Sequence, residues 1–121
     1  MAAAPNISVL IDSDSATYAL SISFYLQPNL IETQISYDWP STTKFLSNCS
    51  YNMMIMNRNN GAEDVALLAK EARKIAKFPL IILIENIKQI SHVAGYRLGA
   101  IEYLLKPVPG RTLLKLIRQL A

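Results

Sequence analysis

Five apolar runs alternate along the chain with segments whose apolar positions recur every three or four residues. The runs are Ile7 to Ile11, Ile31 to Ser36, Tyr51 to Met56, Pro79 to Ile84 and Ile101 to Leu105. Each is too short for an independent helix and rich in β-branched or long apolar side chains, so each predicts a buried strand. Met53, Met54 and Met56 fit this reading as flexible thioethers that fill irregular gaps in a central strand.

The intervening segments predict helices. Asp12-Ser13-Asp14-Ser15 supplies N-cap side chains for a first helix that ends before Pro28. A short, weak second helix is expected near Thr42 to Ser47, after Trp39-Pro40 has broken the chain. From Glu63 to Lys77, Val65, Leu68, Ala72 and Ile75 fall on one face, with acids in the first turn and bases in the last to complement the helix dipole. Asn86 caps a fourth helix that turns Ile87, Ile90, Ala94 and Leu98 inward and stops at Gly99. Pro109 stands where a first-turn proline belongs, and Leu113, Leu116, Ile117 and Leu120 give the last helix its apolar stripe. Strand and helix in alternation, joined by right-handed crossovers, predict an α/β chain: a doubly wound five-stranded parallel sheet with five helices and strand order 2-1-3-4-5.

Length and composition leave this picture intact. The 121 residues predict a single domain, 1–121, and the 51% hydrophobic and 17% charged residues suit a sheet covered on both faces. The start lacks a basic n-region and an apolar h-region, and no apolar run approaches the ~20 residues that span a bilayer, so a soluble, cytoplasmic protein is expected. A single cysteine, Cys49, suits a reducing compartment and rules out an internal disulfide. The net charge of +3 is spread at helical spacing and not gathered into a patch, which argues against direct nucleic-acid binding.

In such a sheet, chemistry gathers at the carboxyl ends of the strands, where the loops begin at Asp12, Asn57, Glu85 and Lys106. One loop carries a recognisable signature. Gly99-Ala100-Ile101-Glu102-Tyr103-Leu104-Leu105-Lys106-Pro107 is similar to the Gly-Ala-x-x-Tyr-Leu-x-Lys-Pro run of the receiver domains of bacterial response regulators, the CheY-like modules that a histidine kinase phosphorylates on aspartate. The likeness covers nearly the whole chain. It implies a flavodoxin- and CheY-like fold and a non-enzymatic signalling module, either the N-terminal regulatory part of a larger transcription regulator or, equally, a module complete in itself.

The same resemblance exposes losses. Of the family's adjacent acidic pair, only Asp12 is kept, with Ser13 in the second position and Asp14 one residue beyond. Asn57 stands at the phosphoacceptor position, where it offers no nucleophilic carboxylate, and Ile84 replaces the hydroxyl residue after the fourth strand. Lys106, Pro107 and the switch aromatic Tyr103 are retained. Magnesium wants octahedral oxygen ligation anchored by carboxylates, so Asp12 is at most a weak metal candidate and no cofactor is expected. A permanent ion pair from Lys106 to Asp12, with Asn57 donating its amide, is the expected remnant, and Arg58 is within reach of the same acid. The plainer alternative leaves Lys106 pointing into water.

The resulting reading is a degenerate, or pseudo-, receiver acting through protein contacts independently of phosphorylation. The alternatives are a receiver phosphorylated on Asp12 or Asp14 with Mg2+, and a flavodoxin-like ligand binder, for which no glycine-rich phosphate loop follows the first strand. The face of the fourth helix, fifth strand and last helix carries Lys88, Tyr96, Arg97, Glu102, Arg111, Lys115 and Arg118 in mixed charge, and the resemblance makes it the expected contact for a homodimer, partner or output domain. His92, without partner ligands, is expected to face solvent, and Cys49 has no adjacent base to activate it. Tyr37, Trp39 and Pro40 are expected to cover the sheet edge, the alternative being that an exposed aromatic there marks a contact surface.

Overall fold

The computed structural model describes residues 7–58, 62–85 and 101–121. Strands β1 (Ile7–Ser13), β2 (Ile31–Ser36), β3 (Met53–Asn57), β4 (Leu80–Ile84) and β5 (Ile101–Leu105) form one sheet in the order β2-β1-β3-β4-β5. Every neighbouring pair is parallel, as expected. Helices α1 (Ala16–Leu26), α2 (Trp39–Asn48), α3 (Ala62–Ile75) and α4 (Gly110–Leu120) are the α-helices among the described residues. The further helix expected between β4 and β5, with Asn86, Ile87, Ile90, His92, Ala94, Leu98 and Gly99, lies outside them.

Strand side chains alternate between two apolar layers, which is why the central strands read as unbroken apolar runs. On one face Val9, Ile11, Met53, Ile55, Ile81 and Leu83 pack with Ile22 and Leu26 of α1 and with Leu113 and Ile117 of α4. On the other, Leu10, Met54, Met56, Leu80, Ile82 and Ile84 pack with Leu46 of α2 and with Val65, Ala69 and Ala72 of α3. The three methionines are fully buried, as a central strand requires.

Two of the departures from the expected boundaries have clear physical reasons. The strand β1 continues through Asp12 and Ser13, whose partners in β3 are Met56 and Asn57, so these polar residues belong to the sheet and not to a loop. Helix α2 begins at Trp39, because Pro40 occupies the first turn, where its missing N–H costs no hydrogen bond, and Asp38 Oδ1 caps the helix by accepting from Ser41 N at 2.8 Å. The caps of α1 match expectation: Ser15 Oγ accepts from Tyr18 N at 3.3 Å.

Just before β3, Tyr51 meets Phe78 edge-on at 6.4 Å between ring centroids. Burial, with a hydrogen bond to Cys49, pushes the Tyr51 phenol up to about 12 from its ordinary 10.0. The folded chain therefore holds this proton more tightly than the unfolded chain. Stability from Tyr51 is fully present below pH 10.0 and is lost as pH rises through about 12. Denaturant melts across that window should show a steeper loss for the native chain than for Tyr51→Phe; parallel curves would contradict the assignment.

Candidate functional site

At the carboxyl edge of the sheet, strand alternation decides which polar side chains can meet. Asp12 has the parity of Leu10 and lies on the α2–α3 face, whereas Ser13 and Asn57 have the parity of Ile11 and Ile55 and lie on the α1–α4 face. The expected single constellation is thereby divided into two networks.

On the α2–α3 face, Asp12 has no solvent exposure and its carboxylate is fully engaged. Arg58 approaches as a fork, Nε donating to Oδ2 at 2.8 Å and Nη2 to Oδ1 at 2.6 Å. Thr42 Oγ1, from α2, donates to Oδ1 at 2.5 Å and lies 2.7 Å from Ser36 Oγ at the end of β2. The Arg58 side chain is 8% exposed, and its guanidinium carbon stands 5.8 Å from the centroid of the Trp39 ring. The hydrogen bonds to Asp12 are the largest cause raising the Arg58 pKa, and the negative charges of Asp12, Asp14 and Asp38 add to them against the cost of desolvation. Arg58 is a fixed cation here, with a planar fork matched to the carboxylate.

On the α1–α4 face, Asn57 is 1% exposed and both ends of its amide are used. Nδ2 donates to Ser13 Oγ at 3.0 Å, and Oδ1 accepts from Lys106 Nζ at 2.7 Å. Ser13 Oγ also donates to Ser15 O at 3.0 Å, which ties the network to the start of α1. Lys106 Nζ lies 3.4 Å from Glu85 Oε1 and 5.3 Å from the centroid of the Tyr18 ring. A cavity of about 340 Å³ lined by Ser15, Tyr18, Asn57, Glu85, Lys106 and Pro107 opens beside it. Lys106 has the parity of Leu104, which packs on the α1–α4 layer, so it reaches Asn57.

The expected Lys106 to Asp12 ion pair is therefore replaced: Arg58 takes the acid, and Lys106 takes the Asn57 carbonyl oxygen with Glu85 nearby. Asn57 donates its amide to Ser13 rather than to that acid. Asp14 is exposed and its backbone N–H donates to Asn57 O at 3.3 Å. Ile84 is 3% exposed and packs in the α2–α3 layer, opposite Leu105 in register. Tyr103 is half-buried against the same layer, and burial raises its phenol pKa. Pro107 follows Lys106 through a cis peptide bond and lines the cavity.

Glu102, Arg111, Lys115 and Arg118 of the expected contact face are exposed, while Lys88, Tyr96 and Arg97 lie outside the described residues. Cys49 is exposed at the end of α2. Sequence reasoning overlooked Thr42, Ser36 and the stacking role of Trp39. The available signal was the parity of Asp12, which faces α2 once Leu10 is assigned to that layer.

These residues do not fit a divalent metal. In the α2–α3 network both oxygens of the Asp12 carboxylate already accept from Arg58 and Thr42, and across the strand Asn57 and Ser13 supply only a neutral amide and a hydroxyl. Among the described residues, no group of three His, Cys, Asp or Glu side chains is placed to hold a metal ion. No described helix is long and apolar enough to cross a membrane.

Comparison with known proteins agrees with this architecture. No protein-family model matches the chain. Sensory transduction protein RegX3 of Mycolicibacterium smegmatis is 26% identical over 111 residues, which are 92% of this chain and 49% of that protein. The chain thus spans about half the length of the curated relatives it matches. Chemotaxis protein CheY4 of Vibrio cholerae superposes with a TM-score of 0.83 at 21% identity, over 97% of this chain and 100% of the other. The receiver domain of the Francisella response regulator 1452 gives 0.82 at 24% identity, over 95% and 96%. The fold is that of CheY-like receiver domains.

Proposed function

We propose that the chain is a pseudo-receiver: a signalling domain of the response-regulator type that works through protein contacts and does not use aspartyl phosphate. The observation that carries this reading is Asn57, which stands at the end of β3 with its amide nitrogen on Ser13 and its amide oxygen on Lys106. An amide there supplies no nucleophilic carboxylate, and its partners already hold it in one orientation. Asp12 is buried under Arg58 and Thr42, which removes it as an alternative acceptor, and Asp14 is exposed, one residue beyond the family's acidic pair. The likeness to a protein named for sensory transduction supports the signalling class.

On this reading the domain is not an enzyme and needs no cofactor. It is cytoplasmic, and it serves as the regulatory part of a longer protein or as a separate module. Its contact face is the one that carries Glu102, Arg111, Lys115 and Arg118, used for a homodimer or an output domain, with no direct role in binding nucleic acid. Incubation with acetyl phosphate and Mg2+, followed by intact mass measurement, should leave the native chain without a phosphoryl adduct. An adduct mapped to Asp12 or Asp14 would overturn the proposal in favour of a phosphorylatable receiver.

A further inference from the structure

We infer that Arg58 is a resident cation: its guanidinium holds on Asp12 the place that a divalent ion would need, so that β1, β2 and α2 are tied together by a charge belonging to the chain. This deepens the pseudo-receiver reading and rests on it. An ion-dependent site can be emptied or filled, but a site closed by a side chain cannot.

Three observations converge. The Arg58 fork satisfies both oxygens of Asp12, an acid with no solvent exposure, so the charge is neutralised where water cannot do it. The guanidinium also stands over Trp39 at 5.8 Å, which adds a cation–π contact and orients the planar group. Finally, the negative charges of Asp14 and Asp38 add to that of Asp12 at Arg58, so removal of this single cation leaves a local excess of negative charge. The acidic field that a divalent ion would enter thus remains, and Arg58 is what occupies it.

Mn2+ alone is a suitable probe. Trp39 is the single tryptophan of the chain, so quenching of its emission by paramagnetic Mn2+ reports the ion's arrival beside Asp12. Native protein should show no saturable quenching and no change in Tm at millimolar Mn2+. Arg58→Met, which keeps length and loses charge, should be quenched saturably, and its Tm should rise by about 5 °C at a concentration ~10 times the dissociation constant. Arg58→Lys restores the charge without the fork and should behave as the native chain does, a rescue that a purely steric role of the side chain would not produce. If Arg58→Met is unfolded without metal, Mn2+ should restore its circular dichroism.

Saturable quenching of the native chain would overturn the inference, as would an Arg58→Met variant that responds to Mn2+ neither in fluorescence nor in folding. These failures are separate from that of the underlying reading. Mn2+ binding by a native chain that takes no phosphoryl group sinks only the resident cation, whereas a phosphoryl adduct sinks the pseudo-receiver.

Discussion

Replacement of Arg58 by alanine is expected to destabilise the fold by about 3–5 kcal/mol, the largest effect of any single site substitution, because it leaves a buried carboxylate without its partner. The magnitude follows from burial, since Asp12 has no exposure and the Arg58 side chain has 8%. An ion pair of the same geometry at the surface would be worth only ~0–1 kcal/mol. Thr42 can still donate one hydrogen bond to Asp12 Oδ1, but a single neutral hydroxyl does not offset a full negative charge. Urea melts would show the loss as a lower midpoint at unchanged slope. Adding Asp12→Asn to Arg58→Ala should recover part of it, because the unpaired charge is then gone. A loss within ~1 kcal/mol would mean that the pair behaves as a solvated one, and strict additivity of the two substitutions would mean that they do not interact.

Ile55→Ala in β3 should cost about 2–5 kcal/mol. Ile55 has no solvent exposure and packs among Val9, Ile11, Ile81, Leu83 and Ile117, a layer with side chains from three strands and α4. Deleting its branched side chain leaves a cavity that rigid strands on both sides cannot close, so the lost contacts add to the lost burial. Leu105→Ala is the control: the residue is 53% exposed, and the expected change is within about 0.5 kcal/mol. Equal losses at both positions would show that the α1–α4 layer is not the packed core assigned to it.

The strands were legible because each is a local pattern. Ile31–Ser36 and Ile101–Leu105 match their expected bounds, and the other three differ by one or two residues at one or both ends. Helix α2 is longer than the expected Thr42 to Ser47, because Trp39-Pro40 starts the helix instead of breaking the chain, and a proline in the first turn suits a helix start. The candidate site was legible only as a set of residue types. Asp12, Ser13, Asn57 and Lys106 fall at the carboxyl edge as expected, but of the two cations within reach of Asp12 it is Arg58, and not the favoured Lys106, that pairs with it.

The reason is geometric. A strand of period two sends neighbouring residues to opposite faces, so Asp12 and Ser13, adjacent in the chain, enter different networks. By itself the sequence determined the order of elements, the two-sided burial of the sheet and the absence of a carboxylate at position 57, because these follow from local periodicity and residue chemistry. Only the tertiary structure decided which charges meet. Asp12 gains Thr42 from α2, 30 residues away, and Arg58 from the end of β3, 46 residues away, while Lys106 joins Asn57 across 49 residues. Such pairings depend on which face each strand end presents and on which helix packs there, and the spacing of residues along the chain records neither.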